Sequence, residues 1–197
     1  DEGVSLQADW QTDYVLITSI SAYRKHDAYD NIDADFYDID ALIRTNDLKQ
    51  EQYSQEIRFS GDAFKEKVNY VTGLYYFDQT LDSVTDTILG QDAYILASAF
   101  LEIDPPLPPA FLPAGSSARN TADQQHDSYA IFGQADYHIA EQVVVTGGLR
   151  WTDENKEMTN IFTEKPTPAP PGFIGLTELA PRPNVDEDFN ESKVTYT

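Results

Sequence analysis

Apolar and polar residues alternate with period two through much of the chain, the pattern of strands with one greasy and one wet face. It is cleanest over Gln142–Glu157. There Val143, Val145, Gly147, Leu149 and Trp151 share one side, and Val144, Thr146, Gly148, Arg150, Thr152 and Glu154 the other. Asp127–His138 behaves alike, with Tyr129, Ile131, Gly133, Ala135 and Tyr137 opposing Gln134, Asp136 and His138. In Gln52–Phe59, Tyr53, Ile57 and Phe59 oppose Ser54, Glu56 and Arg58. Asp13–Arg24 is weaker, and Tyr14, Leu16, Ile20 and Ala22 are its favoured apolar row. Val68–Leu81 is apolar on both sides, so alternation assigns it no facing. Glu191–Thr197 completes a set of about six strands, rich in the Val, Ile, Thr, Tyr and Phe that suit a pleated surface.

Between these segments lie the connections. All 11 prolines fall in two windows, Pro105–Pro113 and Pro166–Pro183. Proline cannot donate to a ladder, so both windows read as loops. The connections run about 27, 8, 45, 3 and 33 residues, with boundaries good to a few residues. Long and short alternate. A soluble sandwich has mostly short loops, whereas a transmembrane barrel has short periplasmic turns and long external loops. The turns Ser60–Lys67 and Ile139–Glu141 are then expected on the periplasmic side. Tyr129 and Tyr137 lie eight residues apart on one face, an axial climb of about 19 Å for a tilted strand. That approaches the apolar band of about 25 Å whose edges carry aromatic girdles. The fold class expected is all-β: an antiparallel up-and-down meander, a partial transmembrane barrel with long external loops.

Composition narrows the function. The net charge of −21 excludes wrapping around nucleic acid, which needs a basic face. No apolar run approaches a membrane helix, and no targeting segment is visible. The absence of Cys removes disulfides, thiol catalysis and Cys-type zinc sites. Charged Glu56, Arg58, Asp136, Arg150 and Glu154 sit opposite apolar rows. They require water on their side of the sheet, and the apolar rows require something greasy on the other.

Several runs resemble the barrel strands of TonB-dependent outer-membrane receptors. They are Thr18-Ser19-Ile20-Ser21-Ala22-Tyr23-Arg24, Tyr53–Gly61, and Val71-Thr72-Gly73-Leu74-Tyr75-Tyr76. The hairpin from Tyr129–Ala135 to Gly147–Glu154 and the closing Lys193-Val194-Thr195-Tyr196 extend the match, in order, over nearly the whole chain. The resemblance implies part of a 22-stranded barrel occluded by a plug domain. Such receptors bind a scarce nutrient outside (a ferric siderophore, cobalamin or an oligosaccharide) and import it when TonB pulls on the plug. It implies outer-membrane lipid and lipopolysaccharide as surroundings, TonB and the nutrient as partners, and no cofactor. Plug, TonB box and closing strand are not among these residues, so residues 1–197 are expected to be an internal piece of the barrel domain. The competing readings are a passive porin-type barrel and a soluble β-sandwich carbohydrate-binding module.

Candidate chemistry is sparse. Asp27, Asp30, Asp33, Asp35, Asp38 and Asp40 carry hard oxygen ligands, but Phe36 and Tyr37 interrupt the EF-hand pattern, and a solvated charged loop accounts for them better. His26, His126 and His138 are separated by the expected topology, so no metal site is assigned. Glu56 with Glu154, or Asp136 with Glu154, are the conceivable carboxylate pairs, with nothing that puts either in a cleft. No nucleophile elbow is present, and an enzyme is the least supported class. The loop aromatics Tyr29, Phe36, Tyr37, Tyr94, Phe111 and Phe173 are candidate ligand contacts, because rings on exposed loops stack on sugars or catecholates. Glu56, Arg58, Gln134, Asp136, His138, Arg150 and Glu154 are the lumen-facing polar candidates.

Overall fold

The computed structural model describes residues 1–165 and 183–197. They form one seven-stranded antiparallel sheet in the order β1-β2-β3-β4-β5-β6-β7, each strand bonded to its neighbours in sequence. The strands are β1 (Glu2–Gln11), β2 (Leu16–Asp33), β3 (Leu42–Ala63), β4 (Val68–Leu89), β5 (Ser117–Ala140), β6 (Val143–Lys165) and β7 (Val185–Tyr196). A helix, α1 (Ala93–Phe100), and a 3-10 turn at Pro109–Phe111 lie between β4 and β5. No second sheet packs on the first among the described residues, which removes the β-sandwich reading.

Two expectations are corrected here. The first is the strand count and length. β1 was passed over, although Val4, Leu6, Ala8 and Trp10 alternate with Ser5, Gln7 and Asp9. β3, β4 and β5 run 22, 22 and 24 residues, far beyond the segments read from the pattern. Residues expected in long loops are therefore strand: Asp27, Tyr29, Asp30 and Asp33 belong to β2. The connections still alternate, with tight turns after β1, β3 and β5 and the longer links at the other end.

The second correction concerns facing. Register sorts every strand onto two faces. Tyr53, Ile57 and Phe59 of β3 align with Tyr23, Ser19 and Ile17 of β2. The apolar row of β2 is thus Ile17 and Tyr23 with two serines between, continued on β1 by Trp10 and Val4. Leu16, Ile20 and Ala22 point the other way, and Tyr14 lies in the turn. The unassigned strand is resolved as well. Tyr70, Leu74 and Tyr76 of β4 join the apolar face through Ala135, Ile131 and Tyr129, while Val71, Gly73, Tyr75 and Phe77 join the polar one.

No described residue covers the apolar face. Trp10 is 68% exposed and Leu149 64%. The polar face is the crowded one: Thr18, Gly73, Leu89, Ala118, Ser128 and Ala130 are buried on it. Side chains converge on the concave side of a curved sheet, so the polar face is the inner one.

The continuous apolar face also breaks off. On every strand its run is followed, two positions on toward the loop end, by a polar or charged residue, and beyond that level Tyr29, Ile43, Val84, Ile88 and Ile161 recur only singly among polar ones. The pairs are Val4/Glu2, Tyr23/Lys25, Tyr53/Glu51, Tyr76/Asp78, Tyr129/Asp127, Trp151/Asp153 and Val194/Ser192. Ring contacts tie the edge together: Tyr53 lies 6.1 Å from Tyr76, and Tyr76 4.9 Å from Tyr129. The edge does not follow one hydrogen-bonded row. It steps by two residues between β3 and β4, and again between β5 and β6. Strands tilted in a staggered barrel produce that step when the edge follows a flat plane. From Val68 to Tyr76 the climb is about 19 Å, close to an apolar band of about 25 Å.

Facing makes a direct prediction. An added Cβ at Gly147 meets nothing within 4 Å, and Leu149 is open, so Gly147→Arg or Leu149→Arg puts charge on the apolar face. Near a bilayer midplane this costs roughly 2–4 kcal/mol. Thr146 faces inward and donates to Asp136 at 2.7 Å, where an arginine finds a carboxylate. Heat-modifiable migration on cold gels should report a clear loss of assembled protein for the two outward variants and a mild one for Thr146→Arg.

Candidate functional site on the inner wall and the loop end

Glu56, Arg58, Gln134, Asp136, His138, Arg150 and Glu154 all lie on the inner face by register. The structure does not gather them into one site. It arranges them as separate local pairs. Arg58 donates to Glu56 two residues away. Asp136 accepts from Thr146, and His138 meets Asn69 at 3.1 Å. Arg150 lies over two rings, 5.5 Å from the centre of Tyr75 and 5.9 Å from that of Phe132, within cation–π range. Gly73 makes room for this group: a Cβ there would come within 2.6 Å of the Phe132 ring and of the Ile57 carbonyl. Tyr75, Phe132 and Gly73 were not singled out in the sequence, because β4 is apolar on both faces.

The conceivable carboxylate pairs do not form. Glu56 is on β3 and Glu154 on β6, three strands and about 14 Å apart at the ordinary strand spacing. Asp136 bonds opposite Thr146, eight residues down β6 from Glu154. Glycosidic hydrolysis needs two carboxyls within roughly 10 Å. His26 is on β2, while His126 and His138 sit twelve residues apart on β5. Among the described residues no group of three or more potential ligands could hold a metal ion.

At the loop end, Asp35 organises the β2–β3 connection. It is 8% exposed. One oxygen accepts the Tyr37 N–H at 3.0 Å, and the other those of Ala41 and Leu42 at 3.2 and 2.8 Å. These bonds, that of Tyr37 foremost, hold its carboxyl below the usual carboxylate range. The next loop is clasped to this one. Asp92 accepts the Asp40 N–H at 3.2 Å, Asp40 accepts that of Gln91 at 3.2 Å, and the Asp92 N–H donates to the Asp40 carbonyl at 2.7 Å. Gly90 sits against the Asp40 carbonyl, where any side chain would collide. Behind the clasp Leu89, Ala93 and Leu112 form a small core, with Leu42 and Tyr94 packed on it. A groove of about 540 Å³ runs beside it, lined by Asp33, Asp35, Asp38, Asp40 and Asp92 among others. The aspartates of the run thus split. Some are strand residues, and Asp35 and Asp40 spend their oxygens on backbone N–H groups.

The aromatic candidates disperse likewise. Phe36 and Tyr37 are open at the tip of the β2–β3 loop, 85% and 65% exposed. Tyr29 is on strand β2 and points outward, not into a loop cluster. Tyr94 is absorbed into the packing of α1, and Phe111 lies in the 3-10 turn. Phe173 lies outside the described residues. Asp35, Asp92 and Gly90 were the residues that pattern reading missed as organisers. The Asp-x-Asp of Asp33–Asp35 was the available signal, since aspartates bond their own backbone two residues on.

Asp35 gives a pH prediction. Its folded pKa is depressed, so its contribution is present above the ordinary carboxylate range, near 4, and is lost as pH falls through the lowered value. Asp35→Asn turns an amide N–H₂ toward backbone donors and leaves at least one of them unpaired. Hydrogen exchange at Ala41 and Leu42 should accelerate by about tenfold or more, with the β5–β6 ladder unchanged.

The chain matches known proteins on both sequence and shape. A family model for the β-barrel of TonB dependent receptor-like proteins matches residues 1–180. The crystal structure of the ferric yersiniabactin uptake receptor FyuA from Yersinia pestis superposes on 98% of the chain with a TM-score of 0.65 at 13% identity. The chain spans 24% of that receptor's length. A single meandering sheet, one bare apolar face ending in an aromatic edge and one polar inner wall agree with that match, and the chain belongs to the TonB-dependent receptor β-barrel family.

Proposed function

We propose that residues 1–197 are a sector of the barrel domain of an outer-membrane receptor that binds a scarce nutrient and imports it actively. The observation that carries this reading is the two-sided sheet. No described residue covers its apolar face over the height of a hydrocarbon core, and its opposite face carries the charged and polar residues of the wall beside Ile20, Tyr75, Phe77 and Phe132. Seven strands are fewer than the smallest closed membrane barrels, of about 8, so the outer edges of β1 and β7 are where further strands pair.

In this reading the tight turns after β1, β3 and β5 face the periplasm of a Gram-negative bacterium, and the β2–β3 and β4–β5 links face the exterior. The aromatic edge from Tyr23 to Trp151 marks the outer headgroup boundary, where lipopolysaccharide surrounds the barrel. Beyond it the strands continue as a wall above the membrane, crowned by the Asp40–Asp92 clasp. Phe36 and Tyr37, with Phe100 at the end of α1, are the exposed rings of the β2–β3 and β4–β5 links. A plug closes the lumen against the inner wall, and TonB acts through it. The family match favours such gated import over a passive porin, and transport over catalysis.

Two measurements test the proposal. Uptake of the nutrient by cells carrying the receptor should stop when TonB is deleted or the inner-membrane gradient is collapsed; uptake indifferent to both would return the porin reading. A paired Phe36→Ala and Tyr37→Ala change should weaken ligand binding a few-fold to about tenfold, since each ring contact contributes about 0.5–1.5 kcal/mol. The assembled fraction should not change.

A further inference from the structure

We propose that Asp92 is a two-position latch at the loop end. In one position its carboxylate ties the β4–β5 link to the β2–β3 link, as the structure shows. In the other it caps its own helix, α1, and the two links part. The latch stands apart from the receptor reading, since it concerns only how the two links are joined.

Asp92 stands at the N-cap of α1, and its main-chain carbonyl opens the helix by accepting the Ile95 N–H at 2.9 Å. An aspartate in this place ordinarily turns its side chain onto the second or third N–H of its own helix. Asp92 does not. No side chain caps α1, and the Tyr94 N–H has no acceptor among the described residues. The carboxylate reaches across instead and accepts the N–H of Asp40 at 3.2 Å. The backbone explains the diversion. A capping residue is extended, with ψ above about +100°, whereas Asp92 has φ −100° and ψ 10°. Taking up the cap therefore needs a rotation of about 90° or more at that bond. Gly90, two residues back, has the conformational freedom to absorb it.

The two positions exclude each other. Besides the Asp40 N–H bond, the clasp consists of the Gln91 N–H on the Asp40 carboxylate at 3.2 Å, the Asp92 N–H on the Asp40 carbonyl at 2.7 Å and the Gly90 N–H on the Ala41 carbonyl at 2.9 Å. Every one of these runs through Gly90–Asp92, the stretch that must rotate. They lie at the water-facing end of the wall, where water takes over the freed groups, and the new cap on α1 offsets part of the loss. Apolar packing does not oppose release. The small core of Leu89, Ala93 and Leu112, with Tyr94 and Ala97, belongs to β4 and its link, and Leu42 alone crosses to it from β3. With the clasp made, Phe36 and Tyr37 on one link and Phe100 on the other are held in one body. With it released, the β2–β3 tip is held by the bonds of Asp35 and by that from the Ala34 N–H to the Leu42 carbonyl. Asp92 thus governs whether the exposed rings of the two links act as one surface or as two.

Hydrogen exchange at single amides of the full-length protein in detergent tests the latch. Asp92→Ser keeps a good capping side chain but is too short to reach Asp40. It should speed exchange at Asp40 and Gly90 about fivefold and slow it at Tyr94 about threefold or more. Opposite movement is the signature, because a residue that merely ties the links would loosen both sides when shortened. Asp92→Ala can neither clasp nor cap, and should slow none of these amides while speeding Asp40 and Gly90. If Asp92→Ser fails to assemble, Asp40→Ala decides in its place. It takes the acceptor from Gln91 with Asp92 intact, and should likewise speed Gly90 and slow Tyr94. Exchange at Tyr94 that quickens or stays unchanged in Asp92→Ser overturns the latch. So does unchanged exchange at Asp40 in that variant, or slower exchange at Tyr94 in Asp92→Ala.

Discussion

Backbone N–H and C=O groups have no water to bond in hydrocarbon, and that single shortage shapes the molecule. A strand at such a depth must satisfy every group sideways, on both edges, with another strand. The result is the uninterrupted ladder from β1 to β7, with no crossover among the described strands. A continuous ladder in turn fixes which side chains are neighbours. Once Trp151 is opposite Ile131, and Ile131 opposite Leu74, the outer surface is decided for three strands at once. The same ladder sends Arg150 inward with Phe132, and Tyr75 with them. Greasy exterior and polar interior are two readings of one register.

The aromatic edge shows how tightly register and environment are coupled. A one-residue slip of any strand would carry its acidic residue below Tyr53 or Tyr129 and its rings into the lumen. The edge steps by two residues at β3–β4 and again at β5–β6, so these strands are staggered while the boundary stays level. Composition was tuned to a plane outside the protein, and the plane can be recovered from the coordinates.

That coupling also explains what could be read from sequence. Between Tyr129 and Tyr137, or Val143 and Trp151, lipid on one side and polar space on the other give the chain's clearest alternation, broken on the inner side by Phe132 and Val144, so element and facing are both legible. Beyond Tyr76 or Tyr129 both faces of the strand are wet. Asp78–Asp86 and Asp123–Asp127 then alternate polar with polar, the periodic signal vanishes, and twenty-residue strands look like loops. In β2 the serines at 19 and 21 occupy outward positions where Ile20 and Ala22 sit inward. Hydrophobicity pointed to the wrong face, and only the cross-strand partners Phe59 and Trp10 correct it. Candidate chemistry was least legible. The polar residues of the inner wall could be named from their parity, but which of them meet depends on register over four strands. No local motif records that.

The loop end obeys a different rule from the wall. Away from lipid, backbone groups can be left to water, yet the β2–β3 and β4–β5 links spend carboxylates on them. Asp35 takes three backbone donors, and Asp40 and Asp92 exchange bonds across two loops. A charged acceptor holds an N–H more firmly than water does. The acidity that looked like a cation site or a solvated tail therefore includes structural work: it makes a rigid crown out of segments with little apolar surface to bury. Preorganised loops pay less conformational entropy when a ligand arrives. Beyond the aromatic edge Asp30 is the one carboxylate of β2–β5 on the inner face, so the crown is stiffened by acid while the strands beneath it turn nearly all of theirs outward.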